Sequence, residues 1–144
     1  MKEIVDFAGT GALRDLEVGD PVAKAFHVLG APDGETDGPD EKIYAFECIQ
    51  ILKSRSDVIS YISIEPDGDH INFPPGLYDS TRIPTPRRSH LLQALRDRGE
   101  EILETQPYVW DETWWQVVGS GVLLHFDEDG FLDGAVKEDK SPSI

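Results

Sequence analysis

The fold is decided by residues 43–64, which read IYAFECIQILKSRSDVISYISI. Apolar and aromatic residues typical of strands fill both arms of this stretch, and the polar turn Ser54–Asp57 separates the arms. A second pattern of the same kind lies near the C-terminus, where Val122–Phe126 and Phe131–Val136 flank the turn Asp127–Gly130. The glycine that ends this turn permits positive φ. Both stretches therefore predict antiparallel hairpins.

A short amphipathic helix is predicted ahead of each hairpin pattern. Asp20-Pro21 and Thr85-Pro86 are start signals, in which a capping side chain precedes a proline at the first helical position. An apolar stripe follows each signal and ends at a glycine: Val22, Ala25, Phe26, Leu29 before Gly30, and Leu91, Leu92, Leu95 before Gly99. Both helices are short, so each needs a sheet to pack on.

The two halves also resemble each other. Ala25–Gly30 matches Ala94–Gly99 at an offset of 69 residues, and Ile49–Ile59 matches Val122–Leu132 at an offset of 73 residues. Chance similarity between two amphipathic segments is the alternative explanation. The repeat predicts two units, at about 15–70 and 84–138, each a helix, a long loop and about three antiparallel strands.

We therefore predict one compact α+β domain over residues 1–144, with a flexible tail at 139–144. The two helix-plus-meander units share an antiparallel sheet because neither unit is large enough to bury its helix alone. Two helices pack on one side of that sheet. The side chains expected to be mostly buried are Ile43, Phe46, Ile51, Ile62, Leu95, Leu124 and Phe126.

The charge balance narrows the class of partner. The chain has 144 residues, with 13 Lys and Arg against 28 Asp and Glu, for a net charge of −15. Such a surface repels phosphate backbones and anionic lipids, so nucleic-acid and membrane partners are not expected. A basic protein is the electrostatic complement. A surface that only solvates the fold is the alternative.

The cysteine content and the N-terminus indicate a soluble, cytoplasmic protein. Cys48 is the only cysteine, so the monomer has no disulfide framework and no cysteine-rich zinc site. Its apolar surroundings favour a buried core thiol over a nucleophile. The first residues lack the apolar region of a signal peptide, and no apolar run reaches the length of a membrane span.

No catalytic residue, metal site or cofactor is predicted. The turn at Asp127 fails the EF-hand pattern, because its fifth and sixth positions are Phe131 and Leu132. The acidic turn Glu65–His70 is explained by ordinary turn chemistry. The four histidines show no zinc-binding spacing, and Gly119-Ser120-Gly121 is not a nucleophile elbow.

Two segments are candidates for binding a partner. The first is the acidic run Asp33–Glu41, which contains no Lys or Arg. The second, residues 108–115, places three tryptophans beside two carboxylates, a composition suited to a basic surface. Trp114 and Trp115 should point to opposite sheet faces. Trp110 is either an interface anchor or part of the core. The predicted binding residues are Asp33, Glu35, Asp37, Asp40, Glu41, Tyr108, Trp110, Asp111 and Glu112.

A group of arginines stands apart from the acidic segments. Its members are Arg82, Arg87, Arg88, Arg96 and Arg98. A solvated helix face with salt bridges is the favoured interpretation, and an anion site is the alternative.

Short motifs add a resemblance. Gly19–Val22, Val28–Pro32 and the aromatic residues Tyr44 and Phe46 resemble the helix-plus-meander unit of the β-lactamase inhibitor protein and of the outer-membrane assembly lipoprotein. With Ser120–Val122 and Phe126–Gly130, the whole chain is similar to small acidic bacterial proteins that include immunity proteins of polymorphic toxin systems. The resemblance implies a cytoplasmic immunity protein that neutralises a cognate toxin. A small-ligand module, or an enzyme with a dispersed site, remains the alternative.

Overall fold

The computed structural model describes residues 1–107 and 112–139. It contains three helices, α1 (Lys2–Thr10), α2 (Val22–Leu29) and α3 (Arg88–Asp97). The ten strands are β1 (Gly34–Asp37), β2 (Lys42–Phe46), β3 (Ile49–Lys53), β4 (Ile59–Ile64), β5 (His70–Asn72), β6 (Arg82–Pro84), β7 (Ile102–Thr105), β8 (Trp114–Val117), β9 (Leu123–Phe126) and β10 (Leu132–Glu138).

Eight of the strands form one antiparallel sheet in the order β1-β2-β3-β4-β10-β9-β8-β7. Each half of this order is a four-stranded meander that follows its own helix, α2 or α3. The last strands of the two meanders, β4 and β10, pair at the centre, with Ala135 opposite Ile64. The predicted α+β fold, in which two helix-plus-meander units share a sheet, is confirmed. β5 and β6 form a separate ribbon.

The helices and the small ribbon cover one face of the sheet. A cross-strand row of Phe46, Ile49, Ile64, Ala135 and Leu124 follows the pairing register through the middle of this face. All five side chains belong to one core cluster with the buried side chains of the helices and the ribbon, which are Ile4, Phe7, Ala8, Ala25, Leu29, Leu91, Leu92, Leu95, Ile71 and Ile83. The helices therefore lie on one side, as predicted.

The prediction of a buried side chain is wrong for one residue of the seven. Phe46, Ile51, Ile62, Leu95, Leu124 and Phe126 are buried, whereas Ile43 is only half-buried. In β2, Tyr44 and Phe46 point into the core, and successive side chains of a strand alternate between faces. Ile43 therefore lies on the opposite face.

The two helices that the sequence predicts, α2 and α3, begin later than their start signals indicate. α2 begins at Val22, whose N–H donates to the Asp57 carbonyl at 2.9 Å, and the Asp20 carboxylate accepts the N–H of Glu17 rather than capping the helix. In the second unit the Arg88 N–H donates to the Gly130 carbonyl at 2.7 Å. Each helix start is thus tied to the hairpin turn of its own unit, which holds the preceding residues extended.

Several elements escape the sequence patterns. α1 is a third helix, and its N-cap residue Met1 makes no side-chain capping hydrogen bond. β1 lies within a segment expected to be a polar loop, and all four of its residues are exposed. β5, β6 and β7 are also additional to the prediction. Of the predicted flexible tail, only Asp139 is described, and its N–H donates to the Ser60 carbonyl.

Candidate protein-binding surface

The face of the sheet opposite the helices is called the open face here. Its longest cross-strand row runs through all eight strands: Gly34, Ala45, Gln50, Ser63, Val136, Leu123, Gln116 and Leu103. A second row contains Thr36, Ile43, Leu52, Tyr61 and Glu138. On the other flank lie Gly134, His125, Trp114 and Thr105. Glu65 follows β4 directly and continues this third row beside Gly134.

Apolar and aromatic side chains of the open face form a set separate from the core. Leu123 and Val136 are buried, yet neither belongs to the core cluster. Leu52 and Tyr61 are half-buried, and neither packs against that cluster. The sheet therefore presents a mixed apolar and polar surface that no described helix covers.

The charges on this face have one sign. Glu65 and Glu138 lie on it, Asp133 and Glu112 lie at its rim, and no Lys or Arg belongs to its three rows. Burial, and secondarily the Asp133 carboxylate, raises the pKa of Glu65 above its usual value. The Glu65 and Asp133 carboxylates are thus close enough to repel one another, and a cationic group bound beside them would relieve that repulsion.

A polar cluster marks the rim near β9. The His125 Nδ1 lies 3.0 Å from Asp133 Oδ2, and its Nε2 lies 3.7 Å from Glu112 Oε2. The His125 ring packs against the Trp114 ring in a tilted arrangement, with 4.8 Å between the ring centroids and 38° between the ring planes. Asp133 reaches the ring because it is the extra residue of an irregularity in the pairing of β10 with β9. These contacts fix the orientation of an aromatic pair on the open face.

Gly134 leaves a gap between Glu65 and the His125–Trp114 pair. A Cβ built at this position meets no other atom within 4 Å, and its backbone conformation is one that other residues adopt. A Cβ added here would therefore meet open space on this face. The gap offers room for a side chain of a bound partner.

The predicted acidic run lies along the edge strand β1 and its turn to β2, and most of its carboxylates have partners within the chain. Lys42 Nζ lies 3.0 Å from Glu35 Oε2 and 3.6 Å from Asp37 Oδ1. Asp40 accepts the Arg55 Nε–H at 2.8 Å. Asp33 accepts the backbone N–H of Glu47, whereas Glu41 is exposed. Tertiary pairing thus weakens the negative field that the sequence alone suggests.

The second predicted segment is described in part. Tyr108, Trp110 and Asp111 lie outside the described residues. Glu112 is exposed beside His125, and the expected division of the adjacent tryptophans is confirmed. Trp115 packs against the core cluster, whereas Trp114 lies on the open face.

The described parts of the two predicted segments do not converge. The β1–β2 turn and the β7–β8 end at Thr105 and Trp114 lie at opposite edges of the eight-stranded sheet and at opposite ends of its strands. At about 4.8 Å per strand, roughly 34 Å of sheet separates these edges. The open face lies between them, and a partner that contacts both segments must cross it. Sequence reasoning missed this surface, although the alternation in β3 and β4 could have indicated it.

The arginine group is dispersed over different neighbours. Arg82 contacts His70, the Arg87 guanidinium lies 4.5 Å from the Phe131 ring centroid, and Arg98 pairs with Asp6 at 2.8 Å. These contacts favour the interpretation as a solvated, partly salt-bridged group over a shared anion site.

The described residues also show how the acidic turns are used. The Asp127 carboxylate accepts the N–H groups of Asp129 and Phe131, each at 2.9 Å, and thereby closes the β9–β10 turn. His70 Nδ1 lies 2.9 Å from Asp69 Oδ1. No group of three or more His, Cys, Asp or Glu side chains within residues 1–107 and 112–139 is arranged to hold a metal ion.

A cavity of about 240 Å³ lies beside α1 and bears on the alternative of a small-ligand module. Arg14 and Tyr78 line it, and the Arg14 guanidinium lies 5.7 Å from the Tyr78 ring centroid. Basic and acidic side chains line it in equal number, namely Lys2, Arg14, Arg98, Glu3, Asp6 and Asp79. Because these charges balance, the lining of the cavity favours neither an anionic nor a cationic ligand. The Tyr78 hydroxyl is buried, and no described group hydrogen-bonds to it.

Tyr78 makes stability sensitive to alkaline pH. Burial, and then the Asp6 carboxylate, raises its pKa from 10.0 to about 12. Between these values the unfolded chain releases the phenolic proton while the folded chain keeps it, so the free energy of unfolding falls as pH rises. Tyr78→Phe should reduce this fall and should not lower stability at pH 7, because it removes an unsatisfied buried hydroxyl. Urea titrations across this pH range measure the effect, and an unchanged slope in Tyr78→Phe would contradict it.

The chain matches no protein family, no curated protein and no solved structure. Within the described residues, no helix has the length and apolar character needed to cross a membrane.

Proposed function

We propose that this chain is a cytoplasmic immunity protein that binds and neutralises a cognate protein toxin with a basic surface. The observation that carries the proposal is the open face, a broad sheet surface whose described rows contain apolar and aromatic side chains and carboxylates but no Lys or Arg. Such a mixture can desolvate an anchor of the partner while its charges steer a basic protein into place.

The net charge of −15 supports the same partner class. Carboxylates at the rim of the open face act over a Debye length of about 10 Å at 0.1 M salt. Association with a basic toxin should therefore slow as the salt concentration rises. The β1–β2 turn and Glu112 lie at two corners of this face, so both predicted segments remain candidates for the edge of the interface.

The test begins with the tagged chain as bait for proteins of its own cell and with the product of any toxin gene found next to its own. Association rates are then measured for the partner with Glu65→Lys, Glu112→Lys and with the matched control Glu17→Lys, Asp97→Lys. Both double variants change the net charge equally, but the control changes exposed positions in the α1–α2 connection and in α3. We expect the open-face variant to associate about tenfold more slowly than the control and to protect toxin-producing cells less well.

Equal rates for the two double variants would remove the open face from the interface. Failure of the wild-type chain to bind or protect against any toxin would remove the immunity function. In that case the cavity beside Tyr78 would make a small-ligand module the next candidate to test.

A further inference from the structure

We propose that β7 accepts an extended basic segment of a partner protein as a ninth strand of the sheet. This inference rests on the proposed function, because it specifies how a basic partner would extend from the open face onto the sheet edge. Strand addition uses main-chain hydrogen bonds for affinity and alternate side chains for selectivity.

The backbone of β7 is oriented for such pairing. Val118 donates its N–H to the Glu101 carbonyl at 2.9 Å, so Glu101 and Val118 form a hydrogen-bonded pair of the β7–β8 ladder. Hydrogen-bonded and non-hydrogen-bonded pairs alternate along antiparallel strands. The N–H and C=O groups of Ile102 and Glu104 therefore point away from β8. β7 is the terminal strand of the sheet, and no described strand pairs with it on that side.

The side chains of β7 indicate what it would pair with. Leu103 is 51% exposed on the open face and is one of the few large exposed apolar side chains. Glu104 points to the other face and, like Glu100 and Glu101, forms no ion pair with a described residue. A strand that alternates apolar and basic residues would place apolar groups beside Leu103 and cations beside Glu104.

The other sheet edge fits this role less well. β1 has no apolar side chain, and its carboxylates Glu35 and Asp37 are already paired with Lys42. A charged, internally paired edge is a common way for proteins to block unwanted strand pairing.

A second copy of this chain is also a poor occupant of β7. Pairing two β7 strands would bring the unpaired carboxylates near Glu104 together in two molecules that each carry −15. The negative charge of this edge therefore favours a basic partner strand over a second copy of the chain.

The probe is a ten-residue peptide of alternating lysine and valine with blocked ends. With the wild-type chain, we expect saturable binding and slower hydrogen exchange at the amides of Ile102 and Glu104. Glu104→Pro removes an outward N–H without removing a β7–β8 hydrogen bond, and Glu104→Gln removes the same charge but keeps the N–H. The proline variant should bind the peptide about tenfold more weakly than the glutamine variant, the loss expected for about one hydrogen bond.

Equal peptide affinity for the two variants would overturn strand addition. So would unchanged exchange at Ile102 and Glu104 in the wild-type chain, a measurement that does not depend on the folding of a variant. If the free chain forms a dimer and the Glu104→Pro substitution dissociates that dimer, the edge binds a second copy of the chain instead. If the toxin partner binds Glu104→Pro and Glu104→Gln equally but loses affinity for the open-face charge variant, the proposed function stands and the strand addition fails.

Discussion

Gly134→Phe is expected to weaken binding of the basic partner by about 100-fold or more, which corresponds to about 2.7 kcal/mol. The phenyl ring would enter the gap between Glu65 and the His125–Trp114 pair and hold the partner away from the face. The fold should tolerate the change, because a Cβ at this position meets no atom within 4 Å and aromatic residues favour strands. Calorimetric titration with the partner measures the loss.

Arg96→Phe is the matched control for this experiment. It adds the same aromatic side chain at an exposed position of α3, on the helix-covered side of the molecule. We expect its affinity for the partner to remain within about twofold of the wild type. If Gly134→Phe keeps both its thermal stability and full affinity, the open face is not the interface.

Leu95→Ala is expected to lower the free energy of unfolding by about 2–5 kcal/mol. Leu95 is completely buried in the core cluster where α3 packs on the sheet, so the shorter side chain leaves a cavity. Urea unfolding followed by circular dichroism gives the value, with an unchanged dependence on urea concentration if the loss is confined to stability.

Arg96→Ala serves as the comparison within the same helix. Its side chain is exposed, so a change of no more than about 0.5 kcal/mol is expected. A similar loss in both variants would indicate that Leu95 is not a core contact and would contradict the one-sided packing of the helices.

The repeat between the two halves was readable from the sequence because it rests on local patterns. The alignment of Ile49–Ile59 with Val122–Leu132 pairs β3 and β4 with β9 and β10, and the helix alignment pairs α2 with α3. Apolar periodicity and glycine stops are local signals, and they specify helices and interior strands well. The units themselves gain a fourth strand that such signals do not reveal.

That additional strand in each unit depends on backbone pairing across the fold. β1 consists of exposed residues without an apolar alternation, yet it pairs with β2 along its full length. β7 similarly forms through pairing with β8. The one-residue error at Ile43 has the same origin, because Ile43 and Tyr44 are both apolar and only packing decides which of them faces the helices.

The candidate site also combines features that the sequence predicts with features that only the fold creates. The acidity and the opposite orientations of Trp114 and Trp115 follow from composition and strand geometry alone. The open face does not, since it exists only when β4 and β10 join the two meanders and all helices pack on one side.

By itself, the sequence determined a negatively charged α+β chain with two similar helix-plus-meander units, because charge and periodicity are properties of local composition. The tertiary structure alone decided which carboxylates lack an ion pair with a described residue and which sheet face and edge no described helix or strand covers. Lys42 and Arg55 neutralise much of the acidic run at β1, whereas the carboxylates beside β7 keep their charge. Coulomb energy depends on distances between side chains, and folding sets those distances.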